Sequence, residues 1–353
     1  MSDAFTEFDG NIESEVASLP LLAFGLDSRG HSPSSIEEWA ACPFSYLLGR
    51  VVRVEPTERP ELEVAWAIGS LARGTLVHAI LSRFFDELAE QGRPRAREIY
   101  GAADRKRIEE IAREEFRLLE EAGAIGHKLA WDNERQAILT DLQTFLREDE
   151  ELRSDGLVPQ FFEQGFGTKG TNSWDELVVE LSPGRVARLR GRIDRIDLGP
   201  NPSTPKEARL IDYKTGSGKG YSEKDLEADP VGAGTKVQPS IYAAVIRTRY
   251  PGANVKSGYW FVSAKGSFKF IKVRDDPERL RQVLDVVDRG LRAGAFPQVP
   301  GPDDQRPGRM SWTNCMYCSF DRICPTGRDQ MRERKRDRPG PLIQLELSTE
   351  RES

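Results

Sequence analysis

Apolar positions along the chain repeat with two periods, and the two alternate in blocks. Over residues 69–90, Val77, Leu81, Phe84 and Leu88 recur at helical spacing and predict a long helix with one buried stripe. Charge-rich amphipathic patterns near 104–121 and 133–153 predict two more helices, a layer over a sheet whose charged faces are solvated. Period-two patterns mark strands at 161–166 and 177–181, from about Val186 through Asp197, and at Ile211 to Lys214. A helix is expected at about 237–249, with Pro239 tolerated in its first turn. A hairpin follows at 258–263 and 267–273, then a helix opening at Asp276-Pro277 on the stripe Leu280, Val283, Leu284, Val287 and Leu291. Near the start, Ser34 or Ser35 caps a helix that carries Glu37 and Glu38 in its first turn and Cys42 at its end.

Composition adds bounds. The chain has 353 residues, 38% of them hydrophobic, enough for a real core. The expected division is a leader over 1–30, one domain over 31–327 with a helical layer at about 104–153, and a charged, partly disordered tail over 328–353. The acidic N-terminus lacks an export pattern and no stretch approaches membrane-spanning length, so no membrane association and a cytoplasmic location are expected. A net charge of −6 argues against coating nucleic acid by bulk electrostatics, and leaves contact through a local basic groove.

Two strings carry the chemistry. In an extended strand residues i and i+2 share a face, so in Ile211-Asp212-Tyr213-Lys214-Thr-Gly216 the Asp212 and Lys214 side chains project together. In Gly191-Arg-Ile-Asp194-Arg-Ile-Asp197, Asp194 shares its face with Arg190 and Arg192, which would floor a cleft. Two carboxylates in one cleft repel unless a cation lies between them, and Mg²⁺ or Mn²⁺ with oxygen ligands is the usual solution. Lys214 could then orient or deprotonate a water and offset charge at phosphorus, a set able to hydrolyse a phosphodiester. Either string alone equally describes the solvated face of an antiparallel sheet; both together, each ending in a turn rich in Gly or Pro, favour a site. Glu163, the one acid in an aromatic strand, is a candidate ligand or a plain surface residue. His78, beside the helical stripe, reads as a structural histidine. Gln238 and Tyr242, four apart on one helix, can reach the same cleft.

Cys42 stands alone, whereas Cys315, Cys318 and Cys324 form C-x2-C-x5-C. Metal ligation accounts for a close triplet better than disulfides do in a chain with this much core. The one-plus-three layout favours an iron–sulfur cluster and leaves zinc open.

In order, Ser32-Pro-Ser-Ser35 leading to Cys42-Pro43-Phe44-Ser-Tyr46, then Gly74-Thr-Leu-Val-His78, the Asp194 and Asp212 strings, Gln238-x3-Tyr242 and the Cys triplet before Pro325 resemble the RecB/AddB-type branch of the PD-(D/E)xK nucleases. That branch includes the AddB nuclease domain and the CRISPR-associated RecB-like exonucleases. The resemblance implies an α/β fold with a restriction-endonuclease-like core, a central mixed sheet flanked by helices, plus a helical insertion and an iron–sulfur staple joining the N- and C-terminal segments. It implies His78, Asp194, Asp212 and the Tyr213 carbonyl as metal ligands, with Asp194, Asp212 and Lys214 catalytic. It makes Gln238 and Tyr242, with Arg192, contacts to the DNA backbone, and Cys42, Cys315, Cys318 and Cys324 the ligands of a [4Fe-4S] cluster. His78 and the cysteines thereby change from their readings above. The implied activity is a Mg²⁺- or Mn²⁺-dependent deoxyribonuclease, an exonuclease on single-stranded or frayed DNA ends in repair or recombination, with a helicase or recombination protein as partner. The alternatives are a non-catalytic scaffold protein beside a helicase, a CRISPR-adaptation exonuclease and a zinc-stabilised binding module. Unlike AddB proteins, the sequence has no G-x4-G-K-[ST] loop, so no ATPase activity is expected.

Overall fold

A computed structural model of the chain describes residues 10–12, 25–28, 30–55, 68–170, 172–182, 184–301, 312–316, 318–325 and 327. Most of the expected leader (1–30) and all of the expected tail (328–353) lie outside the described residues.

At the centre is β5 (Glu207–Lys214), antiparallel to β4 (Gly191–Leu198) and parallel to β6 (Asn254–Phe261), with β1 (Val158–Phe166) and β7 (Phe270–Val273) at the two edges. A parallel step needs a crossover, which here runs through α6 (Glu223–Ala228) and α7 (Gln238–Arg249). Both faces of β5 are covered, and every residue from Ala208 to Tyr213 is buried, Arg209 and Asp212 included. Ile211 and Tyr213 pack with Trp260 under α3 (Ser70–Glu90), α4 (Ala102–Glu121) and α5 (Lys128–Leu152), where the expected Val77, Leu81, Phe84 and Leu88 stripe is buried. Ala208 and Leu210 face the other core, built from α1 (Pro33–Ala41), α7 and α8 (Pro277–Arg292). Within that core, Gly290 lets α8 approach α1, since any side chain there would meet the Trp39 indole. After Cys42 the chain makes the short α2 (Pro43–Tyr46), which runs on as a π-helical turn through Val52.

Three expectations are corrected. Ser32, not Ser34 or Ser35, caps α1: it is extended, its hydroxyl accepts from the Ser35 N–H at 3.1 Å, and Pro33 fills the first helical position. Glu37 therefore lies deeper in the helix than its first turn. The strand expected from Val186 is two strands. β3 (Val186–Leu189) pairs with β2 (Leu177–Glu180) in a separate two-stranded sheet, and the chain breaks at Arg190 before β4 begins. Arg190 and Asp194 thus do not share one strand.

The helical layer is also not uniformly solvated. Asp149 on α5 and Arg153, in the turn just past its end, are fully buried and meet the equally buried Arg195 of β4. Arg195 Nη1 lies 2.5 Å from Asp149 Oδ1, Arg153 Nε donates to Asp149 Oδ2 at 2.7 Å, and the Tyr100 hydroxyl donates to the same oxygen at 2.6 Å. Asp197 links Arg195 to Arg209, whose Nε donates to it at 2.9 Å. Burial would raise the Asp149 carboxyl, but Arg195 and Arg153 hold it below its ordinary value.

Asp149→Ala leaves two guanidinium groups buried beside a missing charge and is expected to cost about 3–5 kcal/mol, read as a fall in the urea midpoint. A loss below about 1 kcal/mol would show that water or rearrangement satisfies the pair instead.

Candidate active site

The β4–β5 ladder reaches Arg195 opposite Ile211, and the next residue on each strand is Asp194 and Asp212. Instead of a strand carbonyl, the Asp194 Oδ2 accepts from the Tyr213 N–H at 2.7 Å. The two carboxylates are thereby brought close together just beyond the last β4–β5 pair. Burial, then the charge of Asp212, pushes the Asp194 carboxyl up to about 7.

Cations answer this crowding from two sides. On one, α3 carries His78 across the end of β5, where its Nε2 lies 3.2 Å from the Tyr213 carbonyl oxygen. Its Nδ1 lies 3.6 Å from Asp194 Oδ1 and 3.5 Å from Glu163 Oε1. Burial opposes a charged imidazole, but Asp194 and Glu163 outweigh it and push His78 up to about 9. On the other side Lys214 Nζ forms an ion pair with the 2% exposed Asp212 and donates to Gln238 Oε1 at 3.1 Å. Burial would lower the Lys214 ammonium, but the charges around it, Asp212 first, raise it above the ordinary lysine range. Its ion pair with Asp212 and its bond to Gln238 hold the ammonium in place for orientation and charge neutralisation.

Each residue expected at the site has a definite place. One donor atom each from His78, Glu163 and Asp194 lie within 4.8 Å of one another, a grouping able to hold a metal ion. Asp212 is instead turned to Lys214. Glu163 has φ +46°, a left-handed backbone rare for such a residue and costing on the order of 1–3 kcal/mol, held inside a strand with its carboxylate beside His78. Arg192 is 62% exposed at the cleft edge, 3.7 Å from Glu163. Gln238 faces Lys214, whereas Tyr242 is buried behind it, its hydroxyl 3.5 Å from Gln238 Nε2. Cys42, Cys315, Cys318 and Cys324 line a single cavity, where the Val299 N–H points at Cys42 Sγ at 3.5 Å and burial raises the Cys42 thiol.

Two functional neighbours escaped sequence reasoning. Arg73, buried on α3, donates to the Thr215 carbonyl and to Asp141 at 2.9 Å each and pairs with Glu134, tying the His78 helix to the chain just past Lys214. Asp141 in turn accepts from the Ala264 N–H at 3.0 Å. Nothing local marks Arg73: its neighbour Gly74 would tolerate a side chain at ordinary contact distance from Thr215, so the glycine gives no sign of the turn across from it. Glu37 of α1 was read as a helix-start acid, yet its Oε1 accepts from the Gln238 N–H at 3.3 Å.

Residues 31–325 match the PD-(D/E)XK nuclease superfamily. The chain belongs to it. Among curated proteins, an ATP-dependent helicase/deoxyribonuclease subunit of Moorella thermoacetica is 29% identical over 204 residues, 56% of this chain and 16% of that protein. The protein of the same name from Clostridium botulinum strain Hall is 24% identical over 267 residues, 74% of this chain and 21% of its own length. The chain thus spans about a fifth of the length of these relatives. A solved structure of a candidate exonuclease from Eubacterium rectale covers 75% of this chain and 81% of that one at 14% identity, with a TM-score of 0.37, too loose a likeness to bear on function. Among the described residues no helix is long and apolar enough to cross a membrane.

In metal-free protein, folded Asp194 and His78 both bind protons more tightly than the unfolded chain does. Their contribution is full below the ordinary values of 3.8 and 6.5 and is lost as pH rises through about 7 and about 9. In EDTA the thermal midpoint should therefore fall from about pH 4 to about pH 9, and His78→Gln should flatten the part between about pH 7 and 9. An unchanged slope in the variant contradicts the assignment.

Proposed function

We propose that this chain is a divalent-metal-dependent deoxyribonuclease, an exonuclease acting on single-stranded or frayed DNA ends in repair or recombination. The observation that carries the reading is the pairing of Asp194 and Asp212 where β4 and β5 part, with Lys214 on the Asp212 side and His78 on the Asp194 side. The nitrogen and oxygen donors gathered there suit a hard divalent ion, and burial, then the charge of Asp212, holds the Asp194 carboxyl above its ordinary value. Asp194, Asp212, His78 and the Tyr213 carbonyl would hold Mg²⁺ or Mn²⁺, with Glu163 as a further ligand. Such an ion, when bound, polarises a phosphoryl oxygen and lowers the pKa of a bound water.

The protein's own groups do the rest. Lys214, protonated and fixed by Asp212 and Gln238, offsets charge gathering on the phosphate oxygens. Gln238 and Arg192 offer donors to backbone phosphate, a form of recognition that ignores base identity. DNA as substrate and a helicase as partner draw support from the name the relatives share, which makes each of them a subunit of an ATP-dependent helicase/deoxyribonuclease.

The four cysteines would hold a [4Fe-4S] cluster. An all-thiolate donor set around one cavity fits it, and Val299 N–H pointing at Cys42 sulfur favours the thiolate. Bound there, a cluster closes a very long loop, tying the end of α1 to the C-terminal segment where little helix or sheet packing is available.

Asp212→Ala and Lys214→Ala should each lower Mn²⁺-dependent digestion of end-labelled DNA by about 100-fold or more in protein that remains folded at the assay temperature. Cleavage at the parental rate rejects the reading in favour of a scaffold. Anaerobically purified protein should be brown with absorbance near about 400 nm, which Cys318→Ala abolishes. A colourless protein carrying stoichiometric zinc overturns the cluster assignment.

A further inference from the structure

We infer that Glu37 is a positioning residue of the nuclease site, acting on Lys214 through the first residue of α7. The inference rests on the reading above.

Helix α7 begins at Gln238 without a side-chain cap, because Val237 in the cap position has no polar side chain. The first N–H groups of a helix have no partner inside it and are electropositive together. Here the Gln238 N–H is taken by Glu37 Oε1, at 3.3 Å, from a segment 201 residues away in sequence. The same residue's side-chain oxygen receives the Lys214 ammonium at 3.1 Å, and its amide nitrogen lies 3.5 Å from the Tyr242 hydroxyl. A single carboxylate on α1 thus fixes the backbone of the residue whose side chain fixes the lysine.

The placement is not incidental to the fold. Glu37 sits midway along α1 between two anchored ends, the Ser32 cap and Cys42. Ile36 and Trp39 on either side are buried in the core shared with α7 and α8, which leaves Glu37 little freedom to leave Gln238. Burial works against ionisation of this carboxylate, raising it to about 7, and the charge of Lys214 is the main opposing influence. An uncompensated acid would be expelled from such a place; this one has a helix N-terminus and an ammonium group to satisfy.

The test compares kcat and KM for end-labelled single-stranded DNA with Mn²⁺ across Glu37→Ala, Glu37→Gln, Glu37→Asp, Gln238→Ala and the Glu37→Ala/Gln238→Ala pair. Glu37→Ala should lower kcat by about 10- to 100-fold with KM within about twofold, the signature of a misplaced reacting group. Glu37→Gln, whose amide oxygen still accepts the N–H, should recover to within a few-fold of the parent. Glu37→Asp, one methylene short, should not, and this pair carries the test if the alanine variant fails to fold. The double variant should be no worse than the weaker single, since both act on one chain of contacts. Parental kcat for Glu37→Ala, a defect in KM alone, or additive losses overturn the inference. If Asp212→Ala also cleaves normally, the nuclease reading fails with it; if Asp212→Ala is inactive, only the role of Glu37 is rejected.

Discussion

Two like charges forced together at the end of one strand pair are the constraint on which the rest of the structure depends. Asp194 and Asp212 come next after the Arg195–Ile211 pair, and Asp194 spends one oxygen on the Tyr213 N–H. In a buried place the repulsion between two carboxylates exceeds what water would leave at a surface, so the surrounding groups must be cationic or a cation must enter. Lys214 answers for Asp212 and His78 for Asp194, and the separation of those two answers gives the cleft its asymmetry.

Holding such a site needs elements that do not shift. β5 is buried on both faces, so its end is fixed by two cores at once. Arg73 fastens the His78 helix to Thr215, while Ser263 Oγ donates to the same carbonyl at 3.0 Å. Under the other half of β4, Arg195, Asp197 and Asp149 form an ionic cluster that is weak evidence for stability but strongly resists losing one member. The strained backbone at Glu163 belongs to the same logic: a residue held in a costly conformation where its carboxylate meets the imidazole.

Much of this was legible in the chain. The α3 stripe, the parity of Asp212 and Lys214 and the Asp276 start of α8 follow from local periodicity and capping, and the structure has them where the pattern put them. The misses among charged side chains share one cause, the distance in sequence of the partner. Nothing local at Asp149 or Arg153 announces that Arg195 will be folded against them, so a charged helix face read as solvated. Glu37 looks like an ordinary helix-start acid until a helix 201 residues later presents its first N–H. The break at Arg190 was hidden because β3 and β4 share an alternating pattern, although they enter different sheets. His78 needed the family resemblance, since one histidine beside a stripe carries no information about which strand end lies across from it.

The claim at the centre is that Asp194 and Asp212 share one divalent ion. Titration calorimetry with Mn²⁺ on the folded protein without DNA tests it most directly, because it reads the ion and not the reaction. The account predicts a binding site that is lost in Asp194→Asn and weakened by about tenfold or more in Asp212→Asn, with proton release on binding as His78 and Asp194 give up their protons. Equal Mn²⁺ affinity in the parent and both variants would mean that the two carboxylates hold no common ion.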